Sequence, residues 1–148
     1  MSQTTCHDAN TEVLQELYHT TKMGMEAAKM LLPKTRGPAF RKAVREQGEC
    51  YRRFTDQCAH LLQEKQRPLK KQGMMEKASL WGSVQMNTMM DSSTSHLAEM
   101  MVNGTNMGIV DMTRTLREHK DCNGTARSLA QSYLDAEQFH LENMKQYL

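Results

Sequence analysis

The sequence predicts an all-α protein: four long helices joined as two antiparallel hairpins, with a shorter helix in the connection between them. Three observations predict it. Apolar residues recur at spacings of three and four along most of the chain. Only three prolines and eight glycines interrupt 148 residues, too few to turn many short strands. The apolar complement is aliphatic and rich in methionine, 14 residues against 5% aromatics. Flexible thioethers fill irregular gaps between helices, whereas a β-sandwich draws on β-branched and aromatic side chains. A chain of this length builds one core, so residues 1–148 are expected to form a single domain.

The first helix is expected over about Thr11–Leu32, with Leu14, Leu17, Tyr18, Thr21, Met25, Ala28, Leu31 and Leu32 on one stripe. Asp8 or Asn10 can cap it after a flexible 1–10 terminus, and Pro33 with Gly37-Pro38 closes it. The second, about Ala39–Lys65, carries Phe40, Val44, Gln47, Cys50, Tyr51, Phe54, Cys58, Leu61 and Leu62. So short a link makes these two a hairpin. Residues 66–91 form the crossover: the polar Gln66–Gly73, then a short helix Met74–Met90 with Met75, Ala78, Trp81, Gln85 and Met89 on one side. The run Asp91-Ser-Ser-Thr-Ser95 supplies oxygens to cap the next helix, about Ser93–His119, whose stripe is Leu97, Met101, Thr105, Gly108, Met112 and Leu116. A tight turn at Asp121–Gly124 leads to the last helix, about Thr125–Tyr147, offering Leu129, Tyr133, Ala136, His140, Met144 and Tyr147. A five-helix bundle, with Met74–Met90 as an equal member, is the alternative.

Charge excludes some functions. Nineteen basic and 17 acidic side chains are interspersed, with a formal net charge of +2. A nucleic-acid binder would concentrate its basic residues in a stripe with aromatics between them. The densest basic run, Lys65, Arg67, Lys70 and Lys71, reads as a solvated linker. The polar Met1–Asn10 has no apolar h-region, and no stretch approaches a membrane span, so a cytoplasmic location with reduced thiols is expected. Cys50 and Cys58 lie about 12 Å apart along one helix, too far to bridge. No phosphate loop, nucleophile elbow or Ser/His/Asp arrangement is visible.

Glu16–Pro33 (ELYHTTKMGMEAAKMLLP), Met86–Ile109 (MNTMMDSSTSHLAEMMVNGTNMGI) and Tyr133–Leu148 (YLDAEQFHLENMKQYL) carry a resemblance that spans almost the whole chain. It is similar to an uncharacterised family of small bacterial ferritin-like helical proteins, the central stretch being the most specific. The resemblance implies the fold, a ferritin-like four-helix bundle with two short links and one long crossover. It implies no activity.

Di-iron members of that fold class take a Glu from each of two helices and a Glu-x-x-His from each of the other two. Here the last helix has one such motif, Glu137-Gln-Phe-His140. The second helix has Glu46-Gln-Gly-Glu49 without a His, and the third reverses the order as His96-Leu-Ala-Glu99. The first offers Glu16, His19 and Glu26. Glu137 and His140 stand one turn apart and could address one ion or ligand, iron or manganese, with Glu26, Glu49, Glu99 or His96 as further donors. The plainer reading is a surface Glu beside a half-buried His.

Gly24, Gly48, Gly104 and Gly108 fall near mid-bundle, each costing about 1 kcal/mol against Ala. They provide either close helix approach or space for a ligand. Three Cys/His pairs, Cys6-His7, Cys58 with His60, and His119 with Cys122, come towards one end, in spacings that match no zinc finger. Met doublets (Met74/Met75, Met89/Met90, Met100/Met101) cannot both face one core, so some belong under the crossover helix, in a dimer contact or on a partner. The leading functional expectation is a homo-oligomeric, non-catalytic binding or structural protein without a cofactor. The alternative is a metal-handling oxidoreductase using the partial Glu-x-x-His site.

Overall fold

The computed structural model describes the backbone of residues 2–69 and 74–148, and the side chains of 9–69, 79–80 and 82–148. Every element among these residues is helical: α1 (Ser2–Leu31), α2 (Pro38–Glu64), α3 (Met74–Met90), α4 (Thr94–Glu118) and α5 (Gly124–Lys145). A single 3-10 turn, Leu32–Lys34, follows α1.

The ends follow local chemistry, with one correction. α1 starts at Ser2 rather than near Thr11, so it runs through the segment expected to be a flexible terminus. No Gly or Pro interrupts Ser2–Asn10, and Ala9 and Val13 extend the buried stripe by a turn. Asn10 is therefore not a cap. Its Oδ1 accepts from the Asn123 backbone N–H at 2.9 Å, tying α1 to the turn between α4 and α5. Gly37 (φ 82°) turns the chain into Pro38 at the first position of α2, where a missing N–H costs nothing. α2 ends with Gln66 in the left-handed region (φ 55°) and the Arg67 N–H bonded to Leu62 O at 2.8 Å, a Schellman closure before Pro68. Ser93 caps α4 as expected, its Oγ accepting from the His96 N–H at 3.2 Å.

α1 packs most extensively on α2, and α4 on α5. α1 also touches α4 and α5, and α2 touches α5. At one end Asn10 meets Asn123, and Gln15 donates to Pro68 O at 2.7 Å. At the other, the ring of Phe40 packs on Tyr147 with centroids 5.2 Å apart. The two helices of each pair therefore run in opposite directions.

The stripes meet in two apolar clusters. One gathers Val13, Leu14, Leu17, Cys58, Leu62, Met112, Leu116 and Ala130 around Tyr51 and Tyr133. The other gathers Ala28, Leu31, Phe40, Val44, Leu97, Met101 and Met144 with Val84 of α3. Between them, at mid-height, lie buried polar residues from every long helix: Thr21 (α1), Gln47 and Thr55 (α2), Thr105 (α4), Glu137 and His140 (α5).

The inward face of α3 also differs from expectation. Val84 and Thr88 are buried, while Met89 points to solvent and Gln85 accepts from Lys34 Nζ at 3.2 Å. α3 packs chiefly on α1, and a narrow face of Leu80, Val84 and Thr88 covers that contact. The side chains of Met75, Ala78 and Trp81 lie outside the described residues. Of the doublets, Met101 is buried with Met100 half-buried, whereas Met89 and Met90 are both exposed. No described helix is long and apolar enough to cross a membrane.

Candidate functional site

The polar layer is organised around one carboxyl group. Glu137 is 2% exposed, and its Oε2 accepts from Tyr51 Oη at 2.8 Å and, more weakly, from Tyr133 Oη at 3.4 Å. Gln47 Nε2 donates to Tyr51 Oη and to Thr105 Oγ1, both at 2.8 Å. Thr105 bonds back to Met101 O at 2.7 Å. One chain of hydrogen bonds thus links α4, α2 and α5 through the middle of the molecule. A parallel link joins α2 to α1, with Thr55 Oγ1 donating to Thr21 Oγ1 at 2.9 Å.

Two glycines make room for the tyrosines. A Cβ at Gly24 would stand 2.8 Å from the Tyr51 ring, and one at Gly108 would overlap the Tyr133 hydroxyl. Gly48 lies against Ala28, a close helix approach, and Gly104 faces open space. The space expected at mid-bundle is occupied at two of the four positions by aromatic side chains.

Burial dominates the electrostatics. It raises the Glu137 carboxyl to about 7, although the hydroxyls of Tyr51 and Tyr133 and the nearby Gln47 amide pull it back. Tyr51 and Tyr133 are pushed far up by burial and by the Glu137 charge, so both stay protonated donors. Burial pushes His140 down, with Glu46 opposing and Arg53 reinforcing. Near neutral pH the layer therefore holds a neutral imidazole beside a carboxyl near its midpoint. Cys58 is raised by burial to about 12 and Cys50 is also raised, which leaves both thiols weakly nucleophilic.

Glu137 and His140 share the polar layer, but the other candidate ligands do not join them. Glu49 is exposed and paired with Arg52 at 2.9 Å, Glu99 is exposed, and Glu26 is half-buried on α1. His96 sits in the first turn of α4 beside the cap. Among the described residues no three His, Cys, Asp or Glu side chains come together as a metal requires. Two phenol O–H donors surround Glu137 Oε2, where a two-metal centre would need lone pairs from further carboxylates and imidazoles. The residues present do not fit such a centre. Among the described residues the zinc grouping does not form either: Cys58 is buried in the core and His60 pairs with Glu64 at 3.1 Å on the surface. Cys6 and His7 lie outside the described side chains.

Glu137 and His140 are both buried, where the plainer reading of the sequence has a surface Glu beside a half-buried His and names no partner for either. A signal was available. Thr21, Gln47, Thr105 and His140 each interrupt an otherwise apolar stripe, and polar residues on core stripes tend to find one another. On the outer side of the layer, His140 lines a groove between α2 and α5 with Arg45, Glu46, Glu49, Arg53 and Phe139. A second groove, between α1 and α4, is lined by Glu12, Glu16, His19, Asp111, Arg114 and His119 among others. Compared with family models, curated proteins and solved structures, the chain matches none.

Proposed function

We propose that this chain is a non-catalytic binding or structural protein on a ferritin-like bundle, with α1/α2 and α4/α5 as its hairpins and α3 within the crossover. The short links after α1 and α4 support that connectivity, as do the two described ends of the crossover. The chain leaves α2 at the end where Gln15 meets Pro68, and enters α4 where Leu97 joins Phe40, Leu31 and Met144.

The functional reading rests on one observation: the central carboxyl is already engaged by the protein's own hydroxyls, with tyrosine rings filling the glycine spaces beside it. Elemental analysis of protein purified without a chelating column tests it. Iron, manganese and zinc are expected far below stoichiometric. Stoichiometric iron or manganese that vanishes in Glu137→Ala/His140→Ala would instead establish a metal-handling protein.

The same reading takes the protein to be cytoplasmic and homodimeric. Exposed Met107 (66%) and Val110 (52%) on one face of α4 support self-association. Sedimentation equilibrium should detect a dimer, and a monomer across the whole concentration range contradicts it.

A further inference from the structure

We propose that the groove between α2 and α5 binds a small organic anion, an oxyanion group carried on a planar apolar body. The ligand class deepens the reading of the chain as a binding protein and rests on it, though not on the connectivity of the bundle. The groove holds about 560 Å³, within the usual range of small-molecule sites.

Its α2 wall carries Arg45 and Arg53, about 12 Å apart along the helix axis at 1.5 Å per residue. Among the described residues neither guanidinium pairs with a carboxylate; Arg53 approaches the Cys50 thiol instead. The two acids in the same wall are engaged by cations outside the groove: Glu49 by Arg52 at 2.9 Å, and Glu46 more loosely by Lys42 at 3.8 Å. Two carboxylates thus share the wall with two guanidiniums that lack a carboxylate partner, and each planar guanidinium can grip a carboxylate or a phosphate through paired N–H donors.

The α5 wall is aromatic. Phe139 is 68% exposed, a large apolar surface left to water. Its ring meets the His140 ring edge-on, with centroids 5.5 Å apart and planes inclined by 73°. His140 itself is 8% exposed and lines the groove. Held neutral by burial, its imidazole can exchange a hydrogen bond with a ligand and adds no charge of its own. An anion bound here would set its oxyanion on the guanidiniums and its planar body on Phe139.

Two-dimensional amide NMR of the full chain, titrated separately with naphthoate, naphthyl phosphate and inorganic phosphate, tests the site. Saturable shifts at Arg45–Arg53 and Ala136–His140 are expected with a naphthyl compound, and the tighter of the two identifies the oxyanion. Inorganic phosphate should bind about tenfold more weakly or worse. Arg45→Ala/Arg53→Ala should weaken naphthyl binding by about tenfold or more, whereas Arg117→Ala on α4 should leave it unchanged. All three arginines are exposed, so an unchanged spectrum verifies the fold of each variant. No saturable shift, shifts mapping elsewhere, or undiminished binding by the double variant would overturn the site. Inorganic phosphate binding as tightly as naphthyl phosphate would overturn the planar-body requirement. Metal content of the same preparation tests the non-catalytic reading alone, so the two ideas can fail separately.

Discussion

Glu137 and His140 stand one turn apart, yet their protonation opposes. The folded Glu137 titrates near 7 rather than its ordinary 4.5, so between those values the native chain holds a proton that the unfolded chain has released. Stability must fall as pH rises through that window, by about 3 kcal/mol once both states are ionised. His140 is lowered from 6.5, so below that value the unfolded chain takes up a proton that the native chain refuses, and stability falls as pH falls. Urea unfolding from pH 4 to 9 should therefore show stability falling as pH rises towards 7, opposed below 6.5 by His140. Glu137→Gln, which keeps a neutral side chain of the same shape, should remove that fall. An unchanged fall in that variant would place the titration on another group. Tyr51→Phe removes the donor at 2.8 Å from Glu137 Oε2 and the hydroxyl that Gln47 contacts. It should cost about 1–3 kcal/mol, because buried polar atoms lose partners without regaining water. Equilibrium unfolding of that variant at pH 6 gives the number.

Within the helices, the glycines separate two roles that look alike in sequence. At Gly108 an added methyl meets the Tyr133 hydroxyl, and Tyr133 is fixed by burial and by its bond to Glu137. Gly108→Ala should therefore lose about 1–3 kcal/mol to overpacking. Gly104, one turn earlier on the same helix, faces open space, so Gly104→Ala should gain about 1 kcal/mol from helix propensity. Opposite signs in thermal unfolding are expected. Equal signs would contradict the assignment of Gly108 as the seat of the tyrosine. The end of α2 offers a third case. Gln66 adopts φ 55° at the Schellman position, where a Cβ is disfavoured, so Gln66→Gly should stabilise by about 0.5–1 kcal/mol.

These elements also show what sequence periodicity can carry. Every stripe residue expected on α4, from Leu97 to Leu116, is buried, because one helix packing against neighbours on one side imposes a single spacing. α3 broke the rule. Its contact is narrow and mostly with α1, so several rotations of the helix satisfy the pattern equally, and the buried side carries Val84 and Thr88 where the pattern points to Met89. The site was harder to read still. Glu137 sits at a stripe edge, where burial depends on whether donors arrive from α2. Tyr51 and Gln47 are 86 and 90 positions away in sequence, beyond the reach of any local pattern.

Across the whole molecule the apolar core is interrupted at mid-height, and the layer of Gln47, Thr105 and Glu137 carries hydrogen bonds where hydrophobic contact would otherwise be continuous. α1, α2, α4 and α5 all contribute to both clusters or to the layer between them, so none can detach without breaking the rest. α3 is different: its described core residues, Leu80 and Val84, join only the second cluster, and Met86, Met89 and Met90 remain exposed. Little apolar area holds it, so it should open in a local step well below the free energy of global unfolding. Native-state hydrogen exchange measures this directly. Amides of residues 80–90 should exchange through an opening that is small and barely sensitive to low urea. Those near Leu14, Val44, Met112 and Tyr133 should exchange only with global unfolding. Val84→Ala should speed exchange across α3 while leaving protection around Tyr133 almost unchanged. If α3 exchanged in step with α1 and α4, its packing would be an equal part of one cooperative unit, and the architecture would be a five-helix bundle.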